Sequence, residues 1–310
     1  MLKSYPAALP FRFLGAEDEY ADYQKARVVM IPVPLERTTT YVRGTRKGPA
    51  AIIEASRNLE TYDEELRVET YREIGIHTLP EMETEEGPLE RVLADVSTAV
   101  VGALADSKFP VLLGGEHSLT FPAVSAAARQ FADLSVLQLD AHADLRESYQ
   151  GECNSHACTM RRVLEICPAV QVGIRSLSAE EAADIPKLKT KIYWAQDIVS
   201  RPSAAWSEEV VRELSPHVYL TIDLDALDPA IMPAVGTPEP GGLSWEQVTG
   251  LVRAVARERT LVGMDVVELV PTPGLHAADF LAAKLIYRIL GYIFCQKHAE
   301  SATRFTNPRP

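Results

Sequence analysis

The sequence predicts an α/β protein: a single three-layer α/β/α domain around a mostly parallel sheet. Three observations carry this expectation. Strand-like and helix-like stretches alternate along most of the chain, the repetition from which such layered folds are built. The strand-like runs, such as Ala26-Arg-Val-Val-Met-Ile-Pro-Val33, show little polar alternation, as in strands covered by helices on both faces. Three of the runs end in Asp or His, and open α/β sheets keep their sites at the carboxyl ends of their strands.

Residues 1–25 carry Pro6, Pro10 and a polar, acidic run, and are expected to form an N-terminal arm before a single domain over 26–310. Residues 26–33 are the first buried strand. A long loop, Thr38 to Pro49, leads into a helix opened by Pro49, a favourable first-turn residue. Leu89, Val92, Leu93, Val96, Val100 and Leu104 recur at helical spacing over 88–104. A strand over 110–113 precedes His117 and a helix over 119–131, and a strand over 134–139 follows. The polar loop 145–155 ends at Ser155, behind which His156 starts a helix.

Further strands fall at 170–174, 192–194 and 218–223, with a helix over 206–214 between the last two. The loop 229–242 holds four prolines and three glycines. Ser244 stands three residues before Gln247, a capping box that opens a helix to Arg257. A strand over 261–268 and a helix over 276–294 close the fold.

Composition is that of a soluble globular protein, 46% hydrophobic and 24% charged over 310 residues. The net charge of −12 argues against nucleic acid, whose phosphates it would repel, and is compatible with a cationic substrate. Cys153, Cys158, Cys167 and Cys295 form no C-x-x-C pair and read as reduced thiols of a cytoplasmic protein. The first residues lack a signal-peptide pattern. The apolar stretch 280–294 is broken by Lys284 and Arg288 and is too short to span a bilayer, so no membrane partner is expected.

The chemistry concentrates in Val136-Leu-Gln-Leu-Asp-Ala-His-Ala-Asp144. In extended backbone, Asp140, His142 and Asp144 fall on one side. Tyr219-Leu-Thr-Ile-Asp-Leu-Asp225 repeats the arrangement with Asp223 and Asp225, and Val111-Leu-Leu-Gly-Gly115 ends in Glu116-His117. Buried carboxylates repel one another and resist desolvation unless a cation compensates them. Four Asp and two His exceed the needs of one small ion and suit two divalent cations sharing a carboxylate and a water. Oxygen-rich ligation without thiolate favours Mn²⁺ or a similar hard ion over structural zinc.

Gly114-Gly-Glu-His117, Asp140-Ala-His-Ala-Asp144 and Asp223-Leu-Asp-Ala-Leu-Asp-Pro229 resemble, in order and separation, the three metal motifs of the ureohydrolase family. That family includes arginase, agmatinase, guanidinobutyrase and formimidoylglutamase, and the resemblance runs from about residue 25 to about 295. Gly44, Arg46, Gly48 and Pro49 resemble its first loop. One departure follows Asp228-Pro229, where Met232-Pro233-Ala234 replaces the usual Ala-Pro-Gly.

The resemblance implies an arginase/deacetylase-like fold, two Mn²⁺ per subunit held by His117, Asp140, His142, Asp144, Asp223 and Asp225, and a homo-oligomer, trimeric or hexameric. It implies hydrolysis of a guanidinium group by attack of a metal-bridging hydroxide, with Asp144 as a bridging ligand that also accepts a hydrogen bond from the hydroxide. Glu268 matches the family's guanidinium-binding glutamate in its separation from Asp225, and His156 the proton-transferring histidine. Both are therefore expected to act in substrate binding and catalysis.

Leu145-Arg146-Glu147 and Ser176-Leu-Ser178 lack the residues with which arginases hold an α-carboxylate and α-amine. The segments from Asp144 to Gly151 and Ser155 to Arg162 look like bacterial and archaeal agmatinases. The expected reaction is agmatine to putrescine and urea, with Glu147 and Glu152 making the loop acidic enough for a cationic tail. N1-aminopropylagmatine fits the same argument, and arginine is the least supported. Arg146, otherwise an ion-pair or surface residue like Arg161 and Arg162, would favour 4-guanidinobutyrate if it faced the pocket. A deacetylase of the same fold would not need His117 and Asp144, and a non-catalytic homologue would have lost a ligand.

Overall fold

The computed structural model describes residues 11–305, with side chains through residue 296. Among the described residues there are ten strands: β1 Val28–Val33, β2 Tyr62–Asp63, β3 Val68–Glu69, β4 Ile76–Thr78, β5 Phe109–Gly114, β6 Leu134–Leu139, β7 Ala169–Ile174, β8 Thr190–Trp194, β9 His217–Asp223 and β10 Thr260–Val267. Eight form one sheet in the order β4-β1-β5-β10-β9-β6-β7-β8, and each pairing in it is parallel. β2 and β3 form a separate antiparallel hairpin.

Successive residues of a strand point to opposite faces, and here both faces are covered. Val28 and Met30 of β1 join one apolar cluster with Ile52 and Ile53 of the helix Gly48–Ser56 and with the helices Trp245–Glu258 and His276–Phe305. Val29 and Ile31 join a second cluster with Val92, Val96 and Val100 of the helix Leu89–Ala105 and with the helix Thr120–Ala128. Each fully buried Val, Leu or Ile contributes roughly 1.5–3 kcal/mol, so this double burial drives the layering. All six residues expected to face inward from the helix at 88–104 are buried.

The capping box forms as expected. Gln247 N–H donates to Ser244 Oγ at 3.2 Å, and Ser244 N–H to Gln247 Oε1 at 3.0 Å. The Gln247 amide also binds the carbonyls of Ile198, Val199 and Arg201. The helix expected over 276–294 extends to Phe305. Its Arg288, one of the charges breaking the apolar run, is buried against Asp63, Glu64 and Glu65 at 3.2, 2.6 and 3.0 Å. Burial disfavours its charge, but those carboxylates hold its guanidinium above its ordinary value, and they fasten the β2–β3 hairpin to the helix. Among the described residues, no helix is long and apolar enough to cross a membrane.

Two expectations need correction. Residues 1–10 of the N-terminal arm lie outside the described residues, but residues 11–25 pack as part of the domain. Phe13 is fully buried in the first cluster, and the Phe13 and Leu14 N–H groups donate to Thr78 Oγ1 and Ser56 Oγ. Phe13 and Ala16 join that cluster, and Ala21 is buried too, despite the polar residues between them. Strands β2, β3 and β4 were also not anticipated, being only two or three residues long, too brief to show a period.

Candidate functional site

The carboxyl ends of β5, β10, β9 and β6, four neighbours in the sheet, meet at one cavity. They deliver His117, Glu268, Asp223 with Asp225, and Asp140 with His142 and Asp144. Gly115 lets β5 turn in, since a Cβ there would stand 2.0 Å from the Leu35 carbonyl oxygen. All these functional side chains are buried except His142, which is partly exposed.

Strand alternation is not what brings them together. β6 stops at Leu139, and Asp144 sits in an irregular turn with a left-handed φ of 52°. β9 stops at Asp223, and a 3-10 turn, Leu224–Ala226, carries Asp225 round, its N–H donating to Asp223 Oδ1 at 2.9 Å. Glu268 follows β10 with φ 66°. The extended expectation fails because polar partners compete with it: Asp140 Oδ1 accepts the His142 N–H at 2.6 Å, and Asp225 Oδ1 the Ala141 N–H at 3.0 Å. Left-handed backbone outside glycine costs of order 1–3 kcal/mol; at Glu268 and Asp144 it accompanies hydrogen bonds from the Glu268 N–H to the Gly115 carbonyl at 2.8 Å and from the Met160 N–H to the Asp144 carbonyl at 3.0 Å.

The side chains form two compact donor sets, His117–Asp140–Asp223 and Asp140–His142–Asp225, each with ligand atoms within 4.8 Å of one another. Asp140 is common to both sets. Asp144 Oδ2 stands 3.1 Å from His117 Nδ1, beside the first set. Asp140 itself is held from behind: the Gln138 amide donates to its Oδ2 at 2.6 Å, and the Gln171 amide to Gln138 Oε1 at 2.6 Å.

His117 tests whether cations suit the site. Its Nδ1 is buried with carboxylate oxygens of Asp140, Asp144 and Asp223 at 3.1, 3.1 and 3.5 Å, yet forms no hydrogen bond. Its Nε2 lies 2.9 Å from Thr221 Oγ1, whose hydroxyl donates to Asp265 Oδ1 at 2.6 Å. A hydroxyl has one proton, so Nε2 must be the donor to Thr221, and Nδ1 is the ring atom left to face the carboxylates, where a cation would take the place of its proton. This is how the outer partner of a metal-ligating histidine selects its tautomer.

The electrostatics agree. Burial and the Asp140 charge push Asp144 up to about 6. Burial, then Asp225 and Asp140, raise Asp223 well above the carboxylate range, and burial with Asp140 raises Asp225. Burial also disfavours the charged His142, but Asp225 and Asp140 outweigh it and push the ring up to about 12. Asp140, despite burial, is held down by His117 and His142. Such crowding is relieved by bound cations, and the four aspartates match the charge of two divalent ions.

Residues 26–291 match the profile of the arginase family. The chain belongs to that family. It is 41% identical over 270 residues to an N(1)-aminopropylagmatine ureohydrolase of Thermus thermophilus, covering 87% of this chain and 91% of that protein. A protein of the same name from Synechocystis sp. is 38% identical over 290 residues, covering 91% and 94%. The crystal structure of agmatine ureohydrolase of Thermoplasma volcanium superposes with a TM-score of 0.82 at 34% identity, covering 91% and 94%.

In this arginase-family cavity, His156 and Glu268 line the same space as the donor sets. Burial holds the His156 imidazole below its ordinary value. Burial and the neighbouring Glu116 raise Glu268 well above its own, even though its Oε1 accepts the His117 N–H at 2.8 Å. Arg146 also lines the cavity, 5.2 Å from the Tyr149 ring and 3.8 Å from the Glu181 carboxylate. Glu147 does not. It pairs with Arg161 and Arg162, each at 2.8 Å, and faces solvent, and Glu152 lies outside the cavity lining too. The acidic-loop expectation is therefore wrong: two arginines of the following helix claim Glu147.

Ala234, the departure from the family pattern, is buried without a positive φ, and its carbonyl accepts the Val270 N–H at 2.8 Å. Four contributors escaped sequence reasoning: Thr38, Glu116, Thr221 and Asp265. Thr221 and Asp265 had a signal, as polar residues inside otherwise apolar central strands; they prove to be register partners across β9 and β10.

Proposed function

We propose that this protein hydrolyses the guanidinium group of a substrate with a cationic, polyamine-type tail, releasing urea and the corresponding amine. The observation that carries this reading is the pair of donor sets sharing Asp140 in a cavity that also holds Glu268 and His156. His117, Asp140, His142, Asp144, Asp223 and Asp225 would hold two Mn²⁺. Bound there, the ions would supply Lewis-acid polarisation and a water acidic enough to attack near neutral pH.

The protein's own groups account for the rest. Glu268, buried and raised, favours a cation beside it, and a planar guanidinium fits a carboxylate through paired N–H donors. His156, held below its ordinary value, carries an available lone pair and is suited to pass a proton to the departing nitrogen. The balance closes: a guanidinium cation and water give urea and an alkylammonium cation.

Agmatine and N1-aminopropylagmatine both meet these requirements. The aminopropyl form is the better supported, because relatives at 38% and 41% identity bear that name over nearly their whole length. A second reading, 4-guanidinobutyrate, is favoured by Arg146 in the cavity wall, although Glu181 offsets its charge. Urea release by Mn²⁺-loaded protein from agmatine, N1-aminopropylagmatine, arginine and 4-guanidinobutyrate decides among them. Preference for the aminopropyl form is expected. Preference for a carboxylate-tailed substrate would overturn the tail assignment, and no urea from any of them would overturn the reaction.

A further inference from the structure

Glu116 is fully buried beside the cavity and belongs to neither donor set. Its Oε2 accepts the N–H groups of Arg37 and Thr38 at 2.5 and 2.7 Å, and its Oε1 the hydroxyls of Thr38 and Ser118 at 2.7 and 2.6 Å. Four donors therefore converge on one carboxylate, and one of them, the Thr38 hydroxyl, also bonds the cavity residue His156.

The Thr38 hydroxyl has one proton and two lone pairs. The proton goes to Glu116. The lone pairs face the His156 backbone N–H at 3.0 Å and His156 Nδ1 at 3.1 Å. With its proton committed, Thr38 can bond Nδ1 only as an acceptor, so Nδ1 must carry a hydrogen. Ser155 Oγ, 3.2 Å from Nδ1, can accept it as well. The other ring nitrogen, Nε2, faces Thr40 Oγ1 at 3.4 Å, and both His156 and Thr40 line the cavity.

We propose that Glu116 and Thr38 are positioning residues for His156: they keep the hydrogen on Nδ1 and leave Nε2 as the atom through which the ring takes up and hands on a proton. Nε2 gains a proton from the attacking water and passes it to the departing nitrogen, so the ring begins and ends each turnover in the same Nδ1–H form. The logic is that of a carboxylate fixing a catalytic imidazole, with a hydroxyl interposed. The inference rests on His156 acting in proton transfer, as proposed above.

The test has two independent arms. In Mn²⁺-loaded protein, Thr38→Val is expected to lower kcat by about 10- to 100-fold, with KM and metal content within about twofold of native. Thr38→Ser, which keeps the hydroxyl, is expected to restore most of kcat. Native kcat in Thr38→Val would overturn the proposal, as would equal losses in both variants. The second arm does not need activity: two-bond ¹H–¹⁵N spectra of histidine-labelled, Mg²⁺-loaded protein, with His156 assigned by its loss in His156→Asn. Native protein and Thr38→Ser should show the Nδ1–H pattern, and Thr38→Val should lose it. An Nε2–H pattern in native protein would refute the positioning role. If no guanidine yields urea, the functional reading fails while the spectra still decide the tautomer.

Discussion

Replacing Thr221 by valine would test the tautomer argument on which the metal site depends. The change keeps the side chain's shape and removes one hydroxyl, and with it three buried hydrogen bonds, from His117 Nε2 at 2.9 Å, to Asp265 Oδ1 at 2.6 Å and with Thr120 Oγ1 at 3.3 Å. The second is charge-assisted, and losing such a bond costs about 1.5–3 kcal/mol. Asp265, already raised by burial, would be raised further. His117, freed from its acceptor, would divide between tautomers, and only one presents the Nδ1 lone pair to a cation. Loss of an outer partner of this kind weakens metal binding by about 10- to 100-fold, equivalent to about 1.4–2.7 kcal/mol. Mn²⁺ titration by calorimetry and thermal unfolding of chelated protein read the two effects separately, with Thr221→Ser as the control. Lower stability with Mn²⁺ affinity within about twofold of native would show that the hydroxyl is structural and refute the tautomer reasoning.

Three further outcomes are expected. Asp223→Asn removes one of the crowded carboxylates and should abolish nearly all Mn²⁺ binding and turnover; full activity would remove that residue from the metal site. In chelated protein, Asp144 and Asp223 have folded values above an unfolded value of about 3.9. The folded state therefore binds their protons more tightly, and its stability falls as pH rises; the raised values of His117 and His142 act in the same direction. Melting scans should then show chelated protein less stable at pH of about 8 than about 6, with a larger Mn²⁺-induced rise at the higher pH; a pH-independent rise would contradict the site's electrostatics. Gly115→Ala places a methyl 2.0 Å from a backbone carbonyl and should destabilise the protein by about 1–3 kcal/mol, read by urea unfolding; native stability would show that the β5 turn relaxes freely.

The sequence alone specified the layers and the donor chemistry, because both are local. Helical spacing from Leu89 to Leu104 marks one buried face whatever packs on it, and Asp140, His142, Asp144, Asp223, Asp225 and His117 stand at strand ends that apolar runs make legible. Which of these residues share an ion is a matter of geometry. Asp140 comes to be common to both donor sets through turns after β6 and β9 that no period encodes. Likewise, the adjacency of β5, β10, β9 and β6 joins residues from 117 to 268, and chain separation says little about which strands lie side by side. Thr221 meets Asp265, and Glu116 reaches His156 through Thr38, only because the assembled sheet sets their register and distance. Local patterns write the elements; long-range packing selects the partners of buried polar groups, since each must be satisfied where the fold leaves it.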